Sequence, residues 1–385
     1  MDIKVAHGAT PTDAFKALSD QASGQKFDFA TMHVNCIVDQ GALRLEGAPQ
    51  ALHGATSCLG AMTDKGAHEG VAVFGLIDPD GDYGTAIVAF EGDVHAAAIK
   101  ATKQALAQAD RMGEQPDLIW IAATPGEEEA VIAGVEAVVG PDVPVIGGSA
   151  ADNSVSGEWF VFDSTTSVQS GVAVSVLFPS TPLSFAYQNG YSPTAHEGLV
   201  TKVADRTVQE IDGLPAMEVY HKWTGGEVPT ASPEDESLFI LSESTLWPLG
   251  REINQVGEVP FYLLAHPASA NRDGSVDLFA NVAEGELLTC MNGTKDSLIA
   301  RAGRVASLAR EAGGLKDKPI AGALMIYCGG CMLSVRDRLG EVVSGLNEAL
   351  DGAPFLGAFT FGEQGRLVKA GNRHGNLMIS AIIFE

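Results

Sequence analysis

The stretch AGALMIYCGGCMLSVRDRLGEVVSGLNEALDGAPFLGAFT, residues 321–360, carries a whole folding unit. Its first seven residues form an unbroken apolar run, short enough for a strand buried on both faces. VRDRLGEVVSGLNEAL (335–350) then repeats its apolar residues at helical spacing, and PFLGAF (354–359) is a second apolar run. Strand, covering helix and strand make a β-α-β unit. The same order stands earlier in the chain. LIWIAA (118–123) reads as a buried strand, EEEAVIAGVEAVV (127–139) as a helix, and VPVIGGSAADN (143–153) as a strand opening into a glycine turn. Thr124 is expected as the N-cap of that helix, with Pro125 at its first position and Glu127 closing a capping box.

The match extends outward. Pro144-Val-Ile-Gly147 corresponds to Pro354-Phe-Leu-Gly357, and each is followed by a late apolar strand, GVAVSVLF from Gly171 and GNLMISAIIF from Gly375. Helical patterns at 93–109 and 295–312 precede the two units. The expectation is an α/β protein with an internal duplication: two related halves built from repeated β-α-β units, with mixed, largely buried sheets covered by helices. At 385 residues the chain exceeds the usual single domain of about 100–200 residues, so two domains are expected, 1–195 and 196–385. The division falls in QNGYSPTAHEG, a loop-like mixture of Gly, Pro, Ser and Thr. WTGGEVPTASPEDESL (223–238) is a second loop-rich stretch.

Charge narrows the function classes. With 24 basic and 49 acidic residues the formal net charge is −25, and such a surface repels nucleic acid and anionic membranes alike. No apolar run reaches the ~18 residues of a spanning helix, and MDIKVAHGATPTDAF lacks the pattern of a signal peptide. A cytoplasmic protein is expected. The five cysteines, Cys36, Cys58, Cys290, Cys328 and Cys331, are an odd number spread along a long chain, which argues for reduced thiols.

Several glycine turns just after expected strands carry candidate chemistry. YCGGC (327–331) has the spacing of a redox dithiol or of half a zinc site, or it is the small-residue floor of a pocket. No second C-x-x-C or H-x₃₋₅-H completes a zinc site, and Met332 after Cys331 excludes c-type haem attachment. HGATSCLG (53–60) has the glycine spacing of a phosphate loop, but Ala61-Met62 stand where Lys and Ser/Thr are required. Its Thr56, Ser57 and Cys58 offer hydroxyl and thiol groups. GGSAADN supplies Gly147, Gly148, Ser149, Asp152 and Asn153, and FTFGEQG supplies Glu363 as a carboxylate on a turn. The three carboxylates of TPGEEE compensate a helix N-terminus and read as a stability feature. His374 and His53 lie near these turns and are the histidines to test as haem or metal ligands.

Taken together, HGATSCLGA (53–61), VIGGSAADN (145–153), LVTKVADRTVQEIDGLPAMEVY (199–220), YCGGC and PFLGAFTFGE (354–363) resemble, in kind and order, the motifs of the FIST family, an N-terminal and a C-terminal sensory domain in tandem. The resemblance covers about residues 28–380. Ala55 replaces the family's usual Cys, Ala61 its Glu, and Cys331 a basic residue. What the resemblance implies is a signalling module that binds small ligands, found fused to kinases, cyclases or chemoreceptors, with some members similar to haem-based nitric oxide sensors. No output domain is expected within these 385 residues, so the chain is expected to act on a separate signalling protein, or to be an enzyme or carrier built on the same scaffold.

The turns are expected to open on one crevice between the halves, because ligands in α/β sheets bind beyond the carboxyl ends of strands. A small polar metabolite would be held there by Thr56, Ser57, Cys58, Gly147, Gly148, Ser149, Asp152 and Asn153 on one side and by Cys328, Cys331 and Glu363 on the other. Two alternatives stand beside this sensor. One is an enzyme using Cys328 or Cys58 with Glu363, and the other a haem protein ligated through His374 or His53.

Overall fold

The computed structural model describes residues 1–256, 259–316, 318–367 and 369–385. The first unit comprises β1 (Asp2–Gly8), α1 (Pro11–Gln21), β2 (Phe29–Val34), β3 (Leu52–Thr56), the hairpin β4 (Ala61–Thr63) and β5 (Gly66–His68), and β6 (Val71–Ile77). The second follows with β7 (Asp82–Ala89), α2 (Val94–Gln108), β8 (Leu118–Ala123), α3 (Glu128–Val139), β9 (Val145–Ser149), the hairpin β10 (Val161–Phe162) and β11 (Ser167–Val168), and β12 (Gly171–Phe178). After β13 (Leu183–Gln188) comes an inserted layer: β14 (Ser192–Ala204), β15 (Thr207–Ile211), β16 (Leu214–Pro215), α4 (Ala216–Trp223), β17 (Ser237–Phe239), α5 (Leu241–Ser244), β18 (Leu249–Val256), β19 (Val259–Ala265), β20 (Pro267–Asn271), β21 (Val276–Leu278) and β22 (Leu287–Asn292). The third unit then resumes with α6 (Lys295–Ala312), β23 (Gly322–Cys328), α7 (Gly329–Ser334), α8 (Leu339–Ala349), β24 (Phe355–Thr360), the hairpin β25 (Glu363–Leu367) and β26 (Gly371–Gly375), and β27 (Ile379–Phe384).

The repeat read at 118–178 and 321–384 is present, and a third copy stands before it. Three six-stranded sheets share one strand order: β1-β6-β2-β3-β10-β11, β7-β12-β8-β9-β25-β26 and β13-β27-β23-β24-β4-β5. Each is built on one parallel pair, β2 with β3, β8 with β9, and β23 with β24, flanked by an antiparallel return strand. The last two strands of every sheet are a hairpin lent by another unit. β4–β5 of the first unit extends the third sheet, β25–β26 of the third extends the second, and β10–β11 of the second extends the first. The exchange covers edges that would otherwise expose unpaired backbone groups. At equivalent positions Gly54, Gly147 and Gly357 leave no space for a Cβ, which would overlap the Phe162 ring, the Ile121 carbonyl oxygen and the Met62 side chain respectively.

The inner faces of the three sheets meet in one core, to which Phe29 and Phe74, Leu118 and Trp120, and Leu324 and Phe384 contribute. The outer faces are covered by α1, by α2 with α3, and by α6 with α8. Apolar alternation therefore disappears from the strands, since both sides are buried. Helices α2 and α6 start where the sequence indicates, capped by Asp93 and by a Thr294/Ser297 capping box. Thr124 differs from expectation: its hydroxyl serves the backbone of Gly171, accepting from N–H at 3.0 Å, and Glu127 holds the N-cap position of α3 without a side-chain bond. The helix expected at 335–350 is split into a 3₁₀ turn at Arg336–Arg338 and α8, and the short helix α7 precedes it over the YCGGC turn. Residues 195 and 196 lie inside β14. Among the described residues no helix is long and apolar enough to cross a membrane.

Because hairpins and β13 are shared between units distant in sequence, cutting the chain should not separate it. Cleavage by a Glu-specific protease in the exposed segment around Glu234 is expected to yield two fragments that co-elute on gel filtration without denaturant. Elution as two species would show that the exchanged strands do not hold the halves together.

Candidate functional site

The strands β3, β9 and β24 end at one point, and their last residues form a closed ring of backbone hydrogen bonds. The Cys58 N–H donates to Phe359 O at 3.0 Å, the Ala151 N–H to Thr56 O at 3.1 Å, and the Phe361 N–H to Ser149 O at 3.2 Å. Each unit thus satisfies the terminal groups of the next. Beside this ring opens a crevice of about 160 Å³. Cys58, Asn153, Ser154 and Val155 come to it from the first two units, Cys328, Gly330, Leu333, Thr360 and Phe361 from the third, and Phe239, Leu241, His266 and Phe279 from the inserted layer.

One of its walls, Val155, and Leu59 next to the lining residue Cys58 are held in unfavourable backbone conformations. Val155 has φ 56° and Leu59 φ 57°, in the left-handed region that bulky and β-branched residues avoid. Asp152 imposes the first: its carboxylate accepts five successive backbone N–H groups, from Ser154 to Glu158, at 2.5–3.0 Å. Burial pushes this carboxyl up, but the donors outweigh burial and leave it below the ordinary value. Asn153 imposes the second, accepting from Leu59 N–H at 2.8 Å while its amide donates to Asn35. Strain of this kind persists only where surrounding bonds over-determine it.

Of the residues expected at the site, Cys58, Asn153 and Cys328 line the crevice. The others lie behind it or frame it. The Ser57 hydroxyl donates to Gly60 O and accepts from Phe359 N–H, bracing the ring. Thr56 binds the backbone of Phe160. Gly147 and Gly148 belong to β9 and pair with β25. Cys331 lies on the buried face of α7, 3.4 Å from the Tyr191 hydroxyl. Glu363 is wholly buried, one hydrogen bond behind the crevice, accepting from Thr360 Oγ1 at 2.8 Å and Met378 N–H at 2.9 Å. Burial and the neighbouring Cys328 push its carboxyl well above the ordinary range, which favours the neutral acid. His266, Phe239 and Phe279 carry no signal in the sequence, since nothing local marks them as neighbours of the glycine turns. Thr360 and Phe361 lie inside a quoted motif and were within reach.

Ser149 points away from the crevice, to the second feature that sequence reading missed. Its hydroxyl donates to Glu128 at 2.8 Å, and Arg206 of the β14–β15 turn reaches both Glu128 at 2.8 Å and Glu129 at 2.7 Å. Asn281 N–H adds a bond to Glu129 at 3.0 Å. TPGEEE is therefore more than a compensated helix end: Glu128 turns inward and clamps the inserted layer to the second unit. Burial raises the Glu128 carboxyl, but His374 and Arg206 outweigh this and leave it below its ordinary value.

The thiols are poor nucleophiles where they stand. Burial pushes Cys58 up to about 12, and burial together with contact to Cys331 pushes Cys328 well above its ordinary value. Nor do the histidines fit a haem. His53 is sealed in the core with Nδ1 on Ser175, and His374 is bound to Gln364 with Nε2 toward Phe279 O; neither faces the crevice. His266 does, but its Nε2 is 3.1 Å from Leu241 O. Among the described residues no cluster of three His, Cys, Asp or Glu side chains could hold a metal ion.

Two outcomes follow. Arg206→Ala should cost about 3 kcal/mol at neutral pH in denaturant unfolding, because it strands a buried carboxylate. A depressed carboxyl stabilises above its unfolded pKa, so the gap between wild type and variant should narrow as pH falls below about 4.5; a gap independent of pH would exclude the clamp. Under native conditions iodoacetamide should label the half-exposed Cys36 first, with Cys58 and Cys328 blocked until unfolding, as peptide mapping would show.

Comparison with known proteins follows this geometry. The FIST N domain model matches residues 36–214, and the FIST C domain model matches residues 216–366. No curated protein matches the chain. Among solved structures, cyanuric acid hydrolase from A. caulinodans is similar over 99% of this chain and 98% of its own, at 8% identity and a TM-score of 0.35. PurLQS from Thermotoga maritima is similar over 80% of this chain and 73% of its own, at 8% identity and a TM-score of 0.22. Both likenesses are too distant to inform the site. The two family models between them span most of the sequence, and the chain belongs to the FIST family, its N and C domains in tandem.

Proposed function

We infer that the protein is a sensor for a small uncharged metabolite, which sits in the crevice beside the ring. FIST domains are sensory modules that bind small ligands in signalling, and the finer reading rests on one observation. Among the described residues the crevice lining contains no Lys, Arg, Asp or Glu. Its polar groups are two thiols, the hydroxyls of Ser154 and Thr360, the Asn153 amide and the His266 imidazole, and burial holds that imidazole neutral by lowering it to about 4. Phe239, Phe279 and Phe361 give it aromatic walls. A lining of this kind favours a flat or short ligand with an apolar face and a few hydrogen-bonding edges, and disfavours an anion or a cation. The volume is below the ~300–1,000 Å³ of pockets for drug-sized ligands, which points to a single-ring or short-chain compound.

The raised thiols and the position of Glu363, buried behind the crevice lining, count against the enzyme reading, which needs a thiolate or a carboxylate base in contact with substrate. Signalling would follow from the crevice walls belonging to different layers. A ligand touching Phe279 and Phe361 bridges the inserted layer and the third unit, and two residues beyond Phe279 is Asn281 of the clamp. Closure around the ligand would shift that layer and alter the acidic surface offered to a separate signalling protein such as a kinase or cyclase.

A thermal-shift screen of uncharged ring metabolites, with native mass spectrometry of the purified protein, tests the reading. Gly330 is the place to block the crevice. A Cβ there makes only ordinary contacts, 3.4 Å from His266 Cε1 and 3.5 Å from Thr245 Oγ1. Gly330→Ala should keep the fold, and Gly330→Leu should abolish the shift given by any binder. A binder that still shifts the Leu variant by the same amount sits elsewhere.

A further inference from the structure

One buried group is served neither by the crevice nor by the clamp. Arg301 of α6 is 3% exposed, and among the described residues its Nε, Nη1 and Nη2 all lack a hydrogen-bond partner. Arg251 and Arg310, also set into the interior, are provided for at their terminal nitrogens, and among the described residues only the Nε of each is unpaired. Arg251 donates to Asn281 O at 2.7 Å and lies 3.7 Å from Glu286, and Arg310 donates to Ala349 O and Lys316 O and pairs with Asp351 at 2.8 Å. Arg301 has no such carboxylate. Burial lowers its guanidinium only to about 10, so it remains charged at neutral pH.

The ionisable groups that face it are Cys331, Tyr191, Tyr327 and Glu363. The phenols donate elsewhere, Tyr191 to Thr245 O at 2.8 Å and Tyr327 to Leu298 O at 3.1 Å, and burial holds both neutral. Glu363 makes no hydrogen bond to the guanidinium; its two oxygens accept from Thr360 and Met378, and burial pushes its carboxyl up. Gly190 closes the remaining side, since a Cβ there would overlap the Arg301 guanidinium. The interior thus encloses a guanidinium with five N–H donors and, among the described residues, no carboxylate hydrogen-bonded to it. A buried charge left in that state is strongly unfavourable, and proteins resolve it by pairing.

We propose that Arg301 is the cation of an interior site for a small monovalent anion, a halide such as chloride, walled by Tyr191, Tyr327 and Cys331. One guanidinium balances one negative charge, and a group only 3% exposed favours an ion of atomic size over an organic acid. The site lies behind α7, the helix that carries Gly330 and Leu333 to the crevice, so the bound ion seats the crevice wall from the inside. It is independent of the metabolite's identity.

The test uses the full chain. Thermal midpoints are measured in sodium chloride, sodium bromide and sodium sulfate at matched ionic strength. Sulfate strengthens apolar burial without specific binding, so a general salt effect ranks sulfate above the halides. The site predicts the reverse order, with the halides about 2–4 °C higher. In Arg301→Met the halide advantage should vanish and sulfate should lead. Bromide-soaked crystals of the unsubstituted protein should show an anomalous peak at hydrogen-bonding distance from the guanidinium, which decides the matter if the Met variant does not fold. Sulfate ahead of the halides in the unsubstituted protein, a halide advantage that survives in Arg301→Met, or bromide crystals without that peak would each overturn the proposal. None of these readouts depends on a crevice ligand, so failure here leaves the sensor reading standing and the converse holds as well.

Discussion

Three backbone hydrogen bonds hold the centre of this protein. Where β3, β9 and β24 end, each strand would leave a terminal N–H and C=O in an apolar interior, at a cost of about 1–3 kcal/mol for every group unpaired. The ring from Cys58 to Phe359, Ala151 to Thr56 and Phe361 to Ser149 satisfies them reciprocally. It also fixes where the chain can go next. Each strand must turn sharply beyond the ring, and the hairpin that follows lands on the sheet of a neighbouring unit. Pairing at the ring and exchange of hairpins are two views of one constraint.

The crevice lies beside the ring because irregular chain segments collect there. The turns after β3 and β9 need left-handed residues, and Asp152 and Asn153 hold them. The inserted layer leans over the opening and supplies its aromatic wall. Around it the electrostatics are divided by depth. The surface is strongly acidic, the crevice is neutral, and two sets of charged groups within the interior stand in contrast. One set, Glu128 with Arg206, is paired and ties the inserted layer in place. The other, Arg301, is unpaired and calls for an anion. A protein of net charge −25 that keeps a cation unaccompanied in its core departs from the general rule that buried charges are matched.

Much of the scaffold could be read in the residues. LIWIAA, AGALMIY and PFLGAF declare buried parallel strands through continuous apolar character, and α2 and α6 begin at recognisable caps. The third copy of the repeat escaped because its crossover, from Asn35 to Ala51, has only a short 3₁₀ turn at Gln40–Leu43 in place of a helix, and because Ala51 stands where the other copies have Pro144 and Pro354. Thr124 looked like a cap since the pattern T-P-x-E specifies one, yet a backbone partner 47 residues away claimed its hydroxyl.

What the sequence determined by itself is local: which runs form strands and helices, that the strands are buried on both faces, that the surface is acidic, and which turns carry thiols and hydroxyls. Only the tertiary structure decided which turn faces the crevice, that Ser149 and Glu363 serve partners behind it, that Phe239, His266 and Phe279 complete its wall, and that Arg301 is buried without a mate. The reason is physical. Periodicity and capping depend on residues within a few positions of one another, whereas burial and charge pairing depend on neighbours tens to hundreds of residues distant, such as Arg206 and Glu128, brought together by the tertiary fold.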